Sequence, residues 1–69
     1  MRNQLAALRA ERGWSQQRVA ELLGVSRQTV ISIERGRFDP SLPLAFNLAT
    51  LFERRIEDIF APEPWTPRE

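Results

Sequence analysis

Residues 16–36 read QQRVAELLGVSRQTVISIERG, and the order of apolar and polar residues in this stretch decides the fold. Two segments with apolar residues at helical spacing lie on either side of Gly24. Ser15 and Ser26 each precede one segment, where a serine hydroxyl can accept a hydrogen bond from the free N–H groups of a first helical turn. Gly24 provides the permissive backbone that a tight turn needs. The pattern predicts two short helices joined by a turn.

The first of these helices is predicted from about Gln16 to Leu23, and the second from Arg27 to about Arg35. This arrangement is typical of a helix-turn-helix motif, here at about residues 16–35, in which the second helix enters the major groove of DNA. Because seven positions fit the motif, the signal is stronger than that of an isolated glycine pattern. The seven are Val19, Ala20, Leu23, Gly24, Val25, Val30 and Ile33.

Three further helices are predicted around the motif. The first of them follows an Asn3 cap and ends at about Arg12. The second follows a Ser41 cap and runs from about Leu42 to Phe52, and the third runs from Ile56 to Phe60. Strand alternation is scarce, so the predicted fold class is all-α, a compact five-helix domain over residues 1–60. Residues 61–69, APEPWTPRE, contain three prolines and are predicted to form a Pro-rich C-terminal tail.

Composition excludes several classes of chemistry. The 69 residues include no cysteine and no histidine, which rules out disulfides, zinc fingers and Ser-His-Asp or Cys-His catalysis. Glu57 and Asp58 are adjacent acids, but their place at a predicted helix start explains them through the helix dipole. We therefore expect no enzyme activity, no metal and no cofactor. No apolar run approaches the roughly 18 to 20 residues of a membrane span, so the expected location is the cytoplasm, without a membrane partner.

The modest net charge of +1 conceals an asymmetry along the chain. Residues 1–37 contain seven arginines against three glutamates, whereas residues 38–69 contain three arginines against six acids. The first half is therefore the half that could bind a polyanion. All ten basic residues are arginine, which suits bidentate contact with phosphate or guanine; a codon bias toward arginine is the alternative explanation.

The sequence resembles the Cro-type, lambda-repressor-like helix-turn-helix family of prokaryotic regulators, also called the xenobiotic-response-element family. The resemblance covers residues 5–60. The stretches that carry it are LAALRAERGWSQQRVAELLGVSRQTV, ISIERG, FDPSLPLAFNLATLF and IEDIF. It implies a five-helix domain that binds double-stranded operator DNA as a homodimer.

The resemblance also implies roles for individual residues. Arg27 could pair bidentately with guanine and Gln28 with adenine, the contacts that identify these bases in the major groove. The alternative to base contact is that Arg27 and Gln28 lie on the surface only for solubility. The alternative to backbone contact is that the basic residues after the second helix belong to a solvated loop. The implied base contacts are Ser26, Arg27, Gln28, Thr29 and Ser32. The implied backbone contacts are Gln16, Arg35 and Arg37.

Two further implications concern structure rather than DNA. In the family, the positions that match Arg9 and Glu34 form an ion pair, and the fifth helix forms the dimer surface. The expected dimer residues are Ile56, Ile59, Phe60 and Trp65. Trp65 has two alternatives, packing on the body of the domain or exposure to solvent.

Two stretches depart from the family's usual pattern. Ile31 is apolar beside the base-reading positions, where it would touch a thymine methyl group or tuck against a neighbour. Glu53-Arg54-Arg55 replaces the usual Gly- or Asn-containing turn, which leaves the length of that junction open.

The sequence thus predicts a sequence-specific DNA-binding transcriptional regulator, a repressor that occupies a palindromic operator. The alternative is a protein-interaction module, such as an adaptor or an antitoxin-like partner, that retains the helix-turn-helix fold without reading an operator. A basic first half and a polar recognition helix favour DNA, whereas contacts of Trp65 and Ile31 with another protein would favour the alternative.

Overall fold

The computed structural model describes residues 1–68 as five helices and two short strands. In chain order the elements are β1 (Arg2–Asn3), α1 (Leu5–Glu11), α2 (Gln16–Leu23), α3 (Arg27–Glu34), α4 (Leu42–Phe52), α5 (Ile56–Ile59) and β2 (Phe60–Ala61). The five predicted helices are confirmed, and each predicted end lies within one residue of the observed one. Within this part of the chain no helix has both the length and the hydropathy that crossing a bilayer requires.

Local capping explains why three of the helices begin where they do. The hydroxyl oxygens of Ser15, Ser26 and Ser41 each accept a hydrogen bond from the backbone N–H three residues on, at 3.0, 3.1 and 3.3 Å. Each bond satisfies one of the N–H groups that a first helical turn leaves free. Gly24 ends α2 with a φ of 74°, a left-handed conformation that suits glycine. The three predicted serine caps and the predicted turn at Gly24 are therefore confirmed.

The start of α1 differs from the prediction. Gln4, not Asn3, occupies the N-cap position, and its side chain makes no capping hydrogen bond. Asn3 lies in β1, from where its Oδ1 accepts from the backbone N–H of Leu5 at 3.1 Å. Its Nδ2 donates to the carbonyl oxygen of Ile33 at 2.7 Å. Asn3 therefore ties the start of α1 to the last turn of α3, a contact that needs the folded chain.

A small antiparallel sheet was not predicted. Arg2 pairs with Ala61 and Asn3 with Phe60. The assignment of Phe60 to the last helix and of Ala61 to the tail is therefore wrong. A two-residue strand is too short to show alternation, and its partner lies at the opposite end of the chain, so no local pattern reveals it.

Every helix contributes to one hydrophobic core. The buried apolar residues are Leu5, Leu8, Val19, Ala20, Val30, Ile33, Ala45, Leu48, Phe52, Ile59 and Phe60. Among them, Ile59 and Phe60 are 1% and 5% exposed, so their side chains face the protomer's own interior. Their prediction as dimer-surface residues is wrong, because helical spacing alone does not say which face of so short a helix meets the body.

The junction between α4 and α5 has an ordinary tight geometry despite its unusual sequence. Glu53 adopts φ 54° and ψ 46°, the left-handed C-cap conformation that glycine or asparagine usually provides. Asp58 then accepts hydrogen bonds from the backbone N–H of Arg55 and from its guanidinium, both at 3.2 Å. The guanidinium hydrogen bond lowers the pKa of Asp58 and raises the pKa of Arg55. Asp58 therefore serves as a cap of α5, which agrees with the explanation of this acid by its place at a helix start.

Candidate nucleic-acid interface

The packing of α3 on α2 determines which side of α3 faces solvent. Val30 and Ile33 of α3 and Val19 and Ala20 of α2 are all fully buried. The chain between the helices is held by a hydrogen bond from the N–H of Val25 to the carbonyl of Ala20, at 3.0 Å. Because one side of α3 is anchored in the core, the opposite side is presented outward on a rigid helix, as direct readout of a groove requires.

Four of the predicted base contacts, Ser26, Gln28, Thr29 and Ser32, line one groove along α3 and its N-cap, whereas Arg27 lines a cleft beside the start of α2. Ser26, Arg27 and Gln28 are exposed, and Thr29 and Ser32 are half-buried. The hydroxyl oxygens of Ser26 and Thr29 are 2.8 Å apart and share a hydrogen bond. The Nε2 of Gln28 donates to the hydroxyl of Ser32 at 3.3 Å. The polar groups at the start of α3 are therefore ordered before any ligand binds.

Three arginines around α3 have their charge available. Arg27, Arg35 and Arg37 are exposed, and among residues 1–68 none of them has a carboxylate within salt-bridge distance. Arg35 and Arg37 flank Gly36, which has a φ of 72°. Glu34, which directly precedes Arg35, pairs with Arg9, and Asp39, two residues after Arg37, pairs with the α-ammonium of Met1 at 3.1 Å. The basic loop after α3 can therefore contact a polyanion without first breaking an ion pair.

An open cleft of about 560 Å³ lies beside the N-terminus of α2, lined by Arg9, Ser15, Gln16, Gln17 and Arg27. The free N–H groups of a helix's first turn favour a phosphate at such a place. The Nε2 of Gln16 donates inward to Glu34 at 3.1 Å, so one of its two amide hydrogens is engaged within the protein. Gln17 also lines the cleft, although sequence reasoning did not single it out, because no spacing distinguishes it from its neighbour.

A network of partly buried polar groups joins the side of the cleft to α3. The Nε of Arg9 donates to Oε2 of Glu34 at 2.7 Å, and one of its terminal nitrogens donates to Oε1 at 3.4 Å. The Nη1 of Arg9 also donates to the carbonyl of Trp14 at 3.0 Å. The Glu34 side chain is only 8% exposed. This confirms the implied ion pair, which joins α1, the start of α2 and the last turn of α3.

A residue that the sequence analysis missed lies next to the base-reading positions. Phe38 is 46% exposed and lines a groove of about 180 Å³ together with Ser26, Gln28, Thr29 and Ser32. It follows α3 in a loop, where no periodicity indicates the direction of a side chain. Ile31, the apolar residue that was singled out, is half-buried.

A further exposed surface is apolar. Leu42 and Phe46, one helical turn apart on α4, are 65% and 55% exposed. Ile56, a predicted dimer residue, is half-buried and lines a cavity of about 210 Å³ together with Leu42. Trp65 is 80% exposed, so it does not pack on the body of the domain. Ile56 and Trp65 therefore remain available to a partner, and Leu42 and Phe46 join them.

Comparison with known proteins agrees with this architecture. The family model HTH_3, described as helix-turn-helix, matches residues 5–59. An uncharacterized HTH-type transcriptional regulator of Methanocaldococcus jannaschii is 52% identical over 63 residues, which cover 91% of this chain and 96% of that relative.

Two solved structures share the fold. The restriction-modification controller protein C.AhdI from Aeromonas hydrophila has a TM-score of 0.72 and 36% identity, over 81% of this chain and 85% of that one. A transcriptional regulator from Listeria innocua has a TM-score of 0.74 and 29% identity, over 97% of this chain and 68% of that one. The chain therefore belongs to the HTH_3 helix-turn-helix family of DNA-binding transcriptional regulators.

Proposed function

We propose that this chain is a sequence-specific regulator that binds a palindromic operator as a homodimer and represses transcription by occupying it. The observation that carries the proposal is the outward side of α3, where the side chains of Arg27 and Gln28 are exposed at the start of the helix and those of Arg35 and Arg37 are exposed after its end. Phosphate contacts position a protein on DNA and base contacts specify the sequence. This side of the molecule offers both kinds of group.

The base contacts follow from the chemistry of the major groove. A guanidinium can donate two parallel hydrogen bonds to O6 and N7 of guanine, and a carboxamide can pair with N6 and N7 of adenine. Arg27 and Gln28 are consecutive, so they would read neighbouring base pairs. The Ser32 hydroxyl accepts from Gln28 and favours one orientation of its amide. We assign Arg27 to a guanine and Gln28 to an adenine.

The backbone contacts come from both ends of the motif. Arg35 and Arg37 lie directly after α3, and the start of α2 borders the cleft that Gln17 and Arg27 also line. Phosphates bound at these two places would hold α3 in the groove from either side. The main chain of Gln16 contributes through the helix start, while its side chain supports Glu34.

The dimer surface that we propose consists of Leu42, Phe46, Ile56 and Trp65. Exposed aromatic and aliphatic side chains of this kind are the usual anchors of an interface core. The surface is formed by α4, α5 and the tail, so it leaves α3 free for DNA. A domain of this size has a thin stability margin, which burial of this surface would increase. Two copies of α3 about 34 Å apart would read half-sites one helical turn apart.

Arg27→Ala and Arg37→Ala are expected to weaken DNA binding in different ways. Without Arg27 the protein should lose discrimination at one base pair, by about 1 to 3 kcal/mol, because a bidentate contact is removed. Without Arg37 it should bind all sequences more weakly alike, with a salt slope lower by about one unit. The measurement is selection from a random duplex pool, followed by salt-dependent affinities for the selected operator and a scrambled duplex.

Arg54→Ala is the matched control, because Arg54 pairs with Glu11 at 3.9 Å outside the proposed DNA surface. It should leave both affinities unchanged. Equal losses on operator and scrambled duplex for Arg27→Ala would contradict the base-reading assignment. A pool that yields no enriched sequence would contradict operator recognition and favour the protein-interaction module.

Phe46→Ser is expected to weaken the dimer at least about tenfold, because it removes an exposed aromatic anchor from the proposed surface. Analytical ultracentrifugation over a concentration series measures the dimer dissociation constant, and Trp65→Ala tests the tail by the same method. Leu22→Ser is the control, since Leu22 is 39% exposed on α2, away from this surface. A Phe46→Ser variant that associates as tightly as the unmodified protein would exclude α4 from the interface.

A further inference from the structure

The groove beside Phe38 continues the outward side of α3. It is lined by Ser26, Gln28, Thr29 and Ser32 on the helix, and by the aromatic ring of Phe38 on the loop. The four lining residues other than Phe38 all belong to the proposed base contacts. A base that contacts them in the major groove would therefore also lie close to Phe38.

The loop that carries Phe38 is held against α3. The backbone N–H groups of Arg37 and Phe38 both donate to the carbonyl of Ser32, at 2.9 and 3.3 Å. Gly36 sits close to the first residue, since a Cβ there would lie 3.2 Å from the carbonyl oxygen of Met1. Contacts on both sides of the turn therefore place Phe38 in a defined position relative to the recognition helix.

The walls of the groove are chemically suited to an apolar group. The hydroxyls of Ser26 and Thr29 bond to each other at 2.8 Å, and that of Ser32 accepts from Gln28 at 3.3 Å. Each of these hydroxyls therefore has a hydrogen-bond partner within the protein, and the ring of Phe38 adds an apolar wall beside them and the Gln28 carboxamide. A half-exposed phenylalanine at this place gains free energy only when an apolar partner covers it.

The apolar group that the major groove presents is the C5-methyl of thymine. Phosphates and sugars lie on the backbone, where the charged residues of this surface meet them, and cytosine carries only hydrogen at C5. A groove of about 180 Å³ accommodates the methyl edge of one pyrimidine. Its position beside Gln28, the proposed adenine contact, places it over the same or the adjacent base pair.

We infer that Phe38 and α3 form a pocket for the C5-methyl group of a thymine, which makes Phe38 a specificity-determining residue. The inference rests on the proposed function, because it assumes that α3 lies in the major groove. Phe38 then selects thymine over cytosine by burying the methyl group, without any hydrogen bond to the base.

The test is replacement of each thymine of the selected half-site, one at a time, by deoxyuridine, which removes only the methyl group. Burial of one methyl predicts that the unmodified protein loses about 4- to 10-fold in affinity at one position. Phe38→Ala should bind the thymine operator more weakly than the unmodified protein does, by a factor of similar size. It should bind the deoxyuridine operator no more weakly than it binds the thymine operator. Phe38→Leu, which keeps an apolar wall, should retain part of the methyl dependence.

Leu22→Ala is the control, because it removes a partly exposed apolar side chain of α2 that belongs neither to this groove nor to the proposed dimer surface. It should retain the full deoxyuridine effect. The pocket is overturned if an operator is enriched but thymine and deoxyuridine bind equally at every position, or if Phe38→Ala keeps the full effect. Absence of any enriched operator would overturn the proposed function and the pocket together.

Discussion

Replacing Phe52 with alanine is expected to lower the free energy of unfolding by about 3 to 5 kcal/mol, through lost burial and the cavity left behind. Phe52 is 1% exposed at the end of α4. Its ring centroid lies 5.7 Å from that of Trp14, and the guanidinium carbon of Arg12 lies 5.8 Å from it. The substitution therefore removes the contact through which α4 supports the segment between α1 and α2.

The expected loss is large relative to the whole domain, because small domains have free energies of unfolding of about 5 to 15 kcal/mol. Urea unfolding followed by circular dichroism measures it, with both proteins at one concentration so that the proposed dimer would contribute equally to both. Leu22→Ala serves as the control and should cost less than about 1 kcal/mol, since its side chain is 39% exposed. A loss below about 1.5 kcal/mol for Phe52→Ala would show that the core closes around the deletion.

Replacing Arg9 with methionine is expected to cost about 3 kcal/mol, because it leaves the nearly buried Glu34 carboxylate without its cation. Glu34 is 8% exposed on its side chain and would keep only the hydrogen bond from Gln16. The ion pair also holds the last turn of α3, so we expect the remaining folded protein to bind DNA less tightly.

A double-mutant cycle separates the loss of the pair from the cost of the stranded charge. Arg9→Met with Glu34→Leu should recover much of the lost stability, since apolar replacement of both partners of a buried pair is often nearly neutral. Arg18→Ala is the control, because the exposed pair of Arg18 with Glu21, at 3.8 Å, should contribute less than about 1 kcal/mol. A double variant no more stable than Arg9→Met alone would contradict the stranded-charge explanation.

The helix-turn-helix motif could be predicted because its signals are local. Ser15 and Ser26 cap their helices through the N–H three residues away, and Gly24 turns the chain within one residue. Helical spacing then separates the buried side of α3 from the outward side, whereas the proposed base contacts at the start of α3 come from the family resemblance. Glu53 shows the reverse case, in which the backbone adopts the usual turn despite an unusual residue.

The sequence alone therefore determined the five helices, the motif and the outward side of the recognition helix, because each depends on residues three or four positions apart. Only the tertiary structure decided how distant segments meet. It placed Asn3 and Phe60 in one sheet, buried Ile59 and Phe60, and exposed Leu42 and Phe46. It also brought the loop residue Phe38 beside α3. These contacts join segments whose spacing carries no periodic signal, so they follow from packing rather than from local pattern.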